Sequence, residues 1–125
     1  MATPLTTEAR TSAHRASVEI SQTDLVEALT TKLGPKLTAF IADRDPSTIS
    51  RWKSGDSAAG EEAMRPLRIA YQVIRLLENA EADPTIRAWF MGINPQLDDL
   101  SPAEALAQGM NRETLAAARA FLAGG

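Results

Sequence analysis

The sequence predicts an all-α fold, and three observations predict it. Large apolar residues recur at intervals of three and four, as in Leu25, Val26, Leu29 and Leu33. Proline and glycine stand at helix boundaries, as in Gly34-Pro35 and Asp45-Pro46. Alternating β-branched runs, the mark of a half-buried strand, are absent. The 125 residues allow one compact domain, or two small helical units sharing a core.

Residues 1–20 carry few large apolar side chains and read as a mobile tail. Ser21, with Asp24 three residues on, is an approximate capping box that opens the first helix. Gly34 ends that helix and Pro35 starts a second, with Leu37, Ala39, Phe40 and Ile41. Asp45 and Pro46 cap and open a third, through Ile49 and Trp52 to about Ser54. The stretch Gly55 to Gly60 is small and polar and reads as a linker. A long helix is expected from Pro66 to Asn79, apolar nearly all round, with only Arg68, Gln72, Arg75 and Asn79 as a polar stripe. Such a helix is either the central core helix or part of a dimer interface. Asp83-Pro84 begins the next helix, which ends near Met91-Gly92, and a loop Gly92-Ile93-Asn94-Pro95 follows. Ser101-Pro102-Ala103-Glu104 is a capping box with proline at the first helical position, and its helix stops at Gly109. Asn111 is expected to cap a last helix carrying Leu115, Ala118, Phe121 and Leu122.

Composition narrows the function. An apolar fraction of 44% is ordinary for a globular protein, and a net charge of −3 argues against broad polyanion binding. There is no cysteine, hence no disulfide framework and no thiolate metal site, which fits a reducing cytoplasm. No apolar run approaches the roughly 20 residues of a membrane span, and no secretory leader is evident. The single histidine, His14, lies in the expected tail, where a general base would have no fixed position. Glu61-Glu62 and Asp98-Asp99 are adjacent acidic pairs whose side chains point apart on regular elements, so they read as solvated. No phosphate-cradling glycine loop or nucleophile elbow is present. The expectation is a binding protein and not an enzyme, without cofactor or metal.

Two constellations carry the functional reading. The run Thr38 to Lys53, TAFIADRDPSTISRWK, reads as helix, short turn, helix. It resembles the helix-turn-helix of phage-repressor-like, Xre-type proteins: Ala39 matches the small residue at the helix crossing, and Ile49-Ser50-Arg51-Trp52 the signature of the recognition helix. Asp43 stands where the family prefers glycine, and Arg44 where it prefers a small apolar residue; Asp accepts left-handed backbone better than most residues. Ser47, Thr48 and Arg51 project outward and, with Lys53, form the expected DNA-contacting set. Residues 36–68 hold six Lys/Arg against five Asp/Glu, a charge of only +1, so DNA binding should be weak per monomer. A helix-turn-helix kept only as scaffold is the competing reading.

From Trp89 the chain reads WFMGINPQLDDLSPAEALAQG. This looks like the toxin-binding domain of MbcA- and ParS-type antitoxins, which places a tryptophan, then Asn-Pro, a leucine, and a proline-initiated helix ending in Leu and Gly. Here those are Trp89, Asn94, Pro95, Leu97 or Leu100, Pro102, Leu106 and Gly109, residues that also read as builders of the domain. The resemblance spans Lys36 to Gly125 and implies a division into a tail (1–20), an Xre-like unit (21–62) and a toxin-binding domain (63–125). It implies a partner, a RES-domain toxin that destroys NAD+, whose cleft the antitoxin covers, and repression of its own operon through promoter DNA. Six acidic groups against the lone Arg87 over residues 76–104 would suit a basic cleft. The thin, alanine-rich last helix puts Arg119, Phe121, Leu122, Gly124 and Gly125 forward as toxin-contacting residues. A homodimer or a hetero-oligomer with toxin is expected. The alternative is a stand-alone helix-turn-helix transcription regulator whose C-terminal region dimerises; a third reading is an accessory interaction module.

Overall fold

The structure, a computed structural model, describes residues 6–124. Among them are eight α-helices, one short 3₁₀ turn and no strand. In chain order the helices are α1 (Thr7–Glu19), α2 (Gln22–Leu33), α3 (Pro35–Ala42), α4 (Pro46–Ser54), α5 (Glu61–Leu77), α6 (Asp83–Met91), α7 (Pro102–Ala107) and α8 (Asn111–Leu122). The 3₁₀ turn is Pro95–Leu97.

The tail expected at residues 1–20 is corrected over Thr7–Glu19, which is helix α1 packed on α5; residues 1–5 lie outside the described residues. Thr6 caps α1, its hydroxyl accepting from Ala9 N at 3.0 Å. Among the described side chains of α1, those buried are small: Ala13 and Ser17. Its seat is the polar stripe of α5. The Arg68 guanidinium donates to the Ser17 carbonyl at 3.1 Å, and Ala9 and Ala13 lie beside Arg75 and Asn79. A helix held by small residues on a polar stripe leaves no apolar periodicity to read.

Helix α5 is the centre of the core. Met64, Leu67, Ala70, Val73, Leu76 and Leu77 are each 0% exposed. Its apolar faces are covered by α2, α3, α7 and α8 of the same chain, while α1 lies on the polar stripe. Of the two readings open for this helix, core centre or dimer interface, the structure shows the first. The helix also starts five residues before the expected Pro66, which lies inside it. Gly60 is the N-cap, Met64 N donates to Gly60 O at 3.1 Å, and Glu61 and Glu62 sit at the positive end of the helix dipole. Proline in the second turn sacrifices one hydrogen bond near an end that has several unpaired groups already.

The buried side chains form one cluster running from Leu25 through Ile49, Trp52 and Phe90 to Leu122. The boundary expected at 62/63 therefore falls within α5 and within one continuous core. The last helix starts one residue after Met110, so Asn111 is its first residue and not its cap. The Ser101–Glu104 capping box forms in full, with bonds of 3.1 and 2.9 Å.

Candidate partner-binding site

The loop after α6 is built around one side chain and its peptide groups. Asn94 N donates to Leu100 O at 3.0 Å, Asn94 O accepts from Leu97 N at 2.9 Å and Asp99 N at 3.1 Å, and Asn94 Oδ1 accepts from Gln96 N at 2.9 Å. Pro95 supplies a preset φ at the first position of the 3₁₀ turn. Leu97 drops into the core at 0% exposure, and Leu100 is partly buried. The next two residues, Asp98 and Asp99, have left-handed backbone (φ 55° and 65°) and exposed side chains. Two such residues in succession cost roughly 1 kcal/mol or more each, which the Asn94 bonds and the Leu97 anchor offset.

A loop braced in this way holds Ile93 out in solvent at 77% exposure, with Met91 at 60%. Behind Ile93 lies a groove of about 540 Å³, lined by Trp89, Ile93, Pro95, Ala117 and Phe121 among others, with no charged side chain in its wall. Trp89 is 9% exposed and packs edge-on against Phe90 (5.2 Å, 90°) and tilted against Phe121 (6.4 Å). Its indole Nε1 is buried with no acceptor among the described residues, and so is Arg119 Nε. Uncompensated burial of such a donor costs about 1–3 kcal/mol. A preformed apolar groove beside an ordered, exposed isoleucine suits a protein side chain better than a polar metabolite.

The sequence-predicted residues divide among core, loop and surface. Trp89, Asn94, Pro95, Leu100, Pro102, Leu106 and Gly109 are brought together around α6, the loop and α7, mostly as structure. Pro102 is buried, Leu106 is 1% exposed, and Gly109 takes φ +84° at the end of α7. Phe121 does reach the groove. Leu122 does not reach the surface: at 1% exposure it is a core residue of α8, because it follows Ala118 on the face turned to α5. Its assignment as a toxin contact is corrected accordingly. Gly124 is exposed, and Gly125 lies outside the described residues. Met91 and Ile93 were missed; the available signal was an apolar residue set between the turn residues Gly92 and Asn94.

At the other end, α4 exposes Ser47, Arg51 and Lys53 and half-buries Thr48, whose hydroxyl accepts from Arg51 Nη2 at 3.2 Å. Ile49 and Trp52 turn inward as expected. Asp43 takes left-handed backbone at the end of α3 (φ 55°, ψ 49°). Asp45 is the N-cap of α4 but makes no side-chain capping bond, so two exposed carboxylates flank the start of the helix.

Of the six acidic residues between positions 76 and 104, Glu78 and Asp83 hold Lys32 at 3.0 and 2.8 Å, and Glu104 serves its capping box. The acidic face thus reduces largely to Asp98 and Asp99 on the Ile93 loop. Among the described residues no group of three or more His, Asp or Glu could hold a metal, and no helix is long and apolar enough to cross a membrane. Comparison with models of protein families, with curated proteins and with solved structures returns no match.

Proposed function

We propose that this chain is a type II antitoxin acting in the cytoplasm, which silences a RES-type, NAD+-degrading toxin by covering its NAD+ cleft. The observation that carries the reading is the braced loop presenting Ile93 beside the Trp89–Phe121 groove. It coincides with the segment that resembles the toxin-binding domain of MbcA- and ParS-type antitoxins. An ordered apolar knob loses little conformational entropy on binding and can act as an anchor. Asp98 and Asp99 on the same loop would steer it towards a basic cleft. The groove lies between α6 and α8, so occlusion would use Ile93 and Phe121 together and not a detached tip.

The test is Ile93→Asp in a chain coexpressed with a RES-domain protein encoded beside it. The expected result is an unchanged melting temperature, since the side chain is exposed, with affinity for that protein lowered at least ~30-fold and NAD+ loss no longer suppressed. Full neutralisation by Ile93→Asp would remove the loop from the interface and the reading with it.

A second reading, a stand-alone helix-turn-helix regulator, is favoured by the exposed Ser47, Arg51 and Lys53 on α4. Repression of its own operon is also proposed for the antitoxin, so the two readings share a promoter test. Arg51→Ala should weaken promoter retention in a mobility-shift assay without changing toxin neutralisation. A wild-type chain that never shifts its promoter, alone or with the partner, would leave α4 as scaffold.

A further inference from the structure

The groove behind Ile93 holds unspent hydrogen-bond donors in an apolar wall. Trp89 is part of that wall and nine-tenths buried, yet its indole Nε1–H has no acceptor among the described residues. Asn94, in the same wall, spends its Oδ1 on Gln96 N, and its Nδ2 has no acceptor among the described residues. Ile93, Pro95, Ala117 and Phe121 supply apolar surface, and no charged side chain lines the groove.

This combination selects an occupant by its chemistry. An anion would leave water for a wall with no cation to meet it. A bare hydrocarbon would cover the wall and leave the indole N–H unpaired, at the cost of an unmade hydrogen bond. An indole nitrogen is a donor only, so what meets it must be an acceptor. A peptide segment answers both needs, with an apolar side chain for the wall and a neutral backbone carbonyl for the N–H. A volume of about 540 Å³ suits a short segment better than a single methyl group. We infer that the groove takes an uncharged, leucine-sized residue of a protein partner, whose backbone carbonyl accepts from Trp89 Nε1, with Asn94 Nδ2 as a second donor to the same segment. Because Nε1 is covered from solvent, the bond forms only as the entering side chain shifts the wall. Phe121, partly buried in the last turn of α8 and tilted at 53° to the indole, is the wall residue placed to yield. The inference rests on the partner-binding reading of this groove and adds what the partner must bring to it.

The test uses the full chain labelled with 15N-tryptophan, whose two indole signals come from Trp52 and Trp89; Trp89→Phe identifies the second. N-acetyl-leucine methylamide at millimolar concentration should move the Trp89 indole proton downfield in a saturable way and leave that of Trp52 in place. The glycine analogue, with the carbonyls but no side chain, should bind at least ~10-fold more weakly. Toluene, with apolar surface but no carbonyl, should produce no downfield shift. Ala88 is exposed and lines the groove, so Ala88→Glu should abolish the leucine-dependent shift by placing a charge there, while the circular-dichroism melt stays as in the wild type. Ala88→Glu should also lower affinity for the neighbouring RES-domain protein at least ~10-fold. No saturable shift with the leucine compound, an equal one with the glycine compound, or the same downfield shift with toluene overturns the inference. If Ile93→Asp abolishes toxin binding and Ala88→Glu does not, the groove inference falls and the antitoxin reading stands. If the wild type does not bind that protein at all, the antitoxin reading falls and the titration alone decides the groove.

Discussion

Trp52 and Lys32 show how differently single side chains hold this fold. Trp52 is 6% exposed on the inner face of α4, beside Ile49 at 1%. Truncation there removes a large buried surface and leaves a cavity, so Trp52→Ala should cost about 3 to 5 kcal/mol, measured by chemical denaturation. Lys32 works at the surface, joining α2 to the end of α5 and the start of α6 through Glu78 and Asp83. Its hydrogen bond to Asp83, then that to Glu78, raise its pKa above the ordinary 10.5. A lysine raised on folding contributes stability that is fully present below the unfolded value and is lost as pH climbs through the folded one. The loss should therefore begin near pH 10.5 and be absent from Lys32→Met. With side chains 29% to 52% exposed, solvent screening keeps the contribution at about 1 kcal/mol or less.

Helices α1 and α8 are held by opposite means. The seam of α1 buries Ala13 and Ser17, is tied by Arg68, and leaves a hollow of about 250 Å³ beside Arg75 and Asn79. Among the described side chains little apolar area opposes its release, and segments of that kind open below the global free energy. Hydrogen exchange should show α1 amides exchanging on the order of tenfold or more faster than those of α5. Equal protection would mean that the seam is stronger than its composition implies. In α8, Ala117, Ala118 and Leu122 are at most 1% exposed. A chain truncated after Thr114 therefore loses core as well as any contact surface, and should lose several kcal/mol, as large-to-small core changes do. Failure of that truncation to neutralise a toxin would not separate contact from folding, whereas Ile93→Asp does.

Across the whole molecule the buried cluster is continuous from α2 to α8, with α5 through its middle. A continuous core couples its parts, so front and back halves should melt in one transition with calorimetric and van't Hoff enthalpies equal. Two separable transitions would show that the halves fold independently. The surface has a different organisation. Ile93 and the groove lie on the α6–α8 side, while Ser47, Arg51 and Lys53 are exposed on α4, which packs on α2 and α3. Helix α7 packs on both α3 and α8.

The sequence by itself determined the helical class and most helix ends, since these depend on local chemistry. Gly34-Pro35, Asp45-Pro46 and the Ser101–Glu104 box act within one turn of backbone, and each stands where it was expected. Trp89, Asn94 and Pro95 were legible as a motif, though their spacing does not say that Asn94 braces a loop so that Ile93 stays outside. Tertiary structure alone decided the rest, because burial is a property of what lies opposite a residue. The stripe Arg68, Gln72, Arg75 and Asn79 looks solvent-facing until α1 lies on it. Leu122 looks like a tip until α5 lies beneath it, and Ile93, legible only as part of a loop, is shown by packing to stand in solvent. Periodicity records which side chains share a face; only packing decides which faces meet.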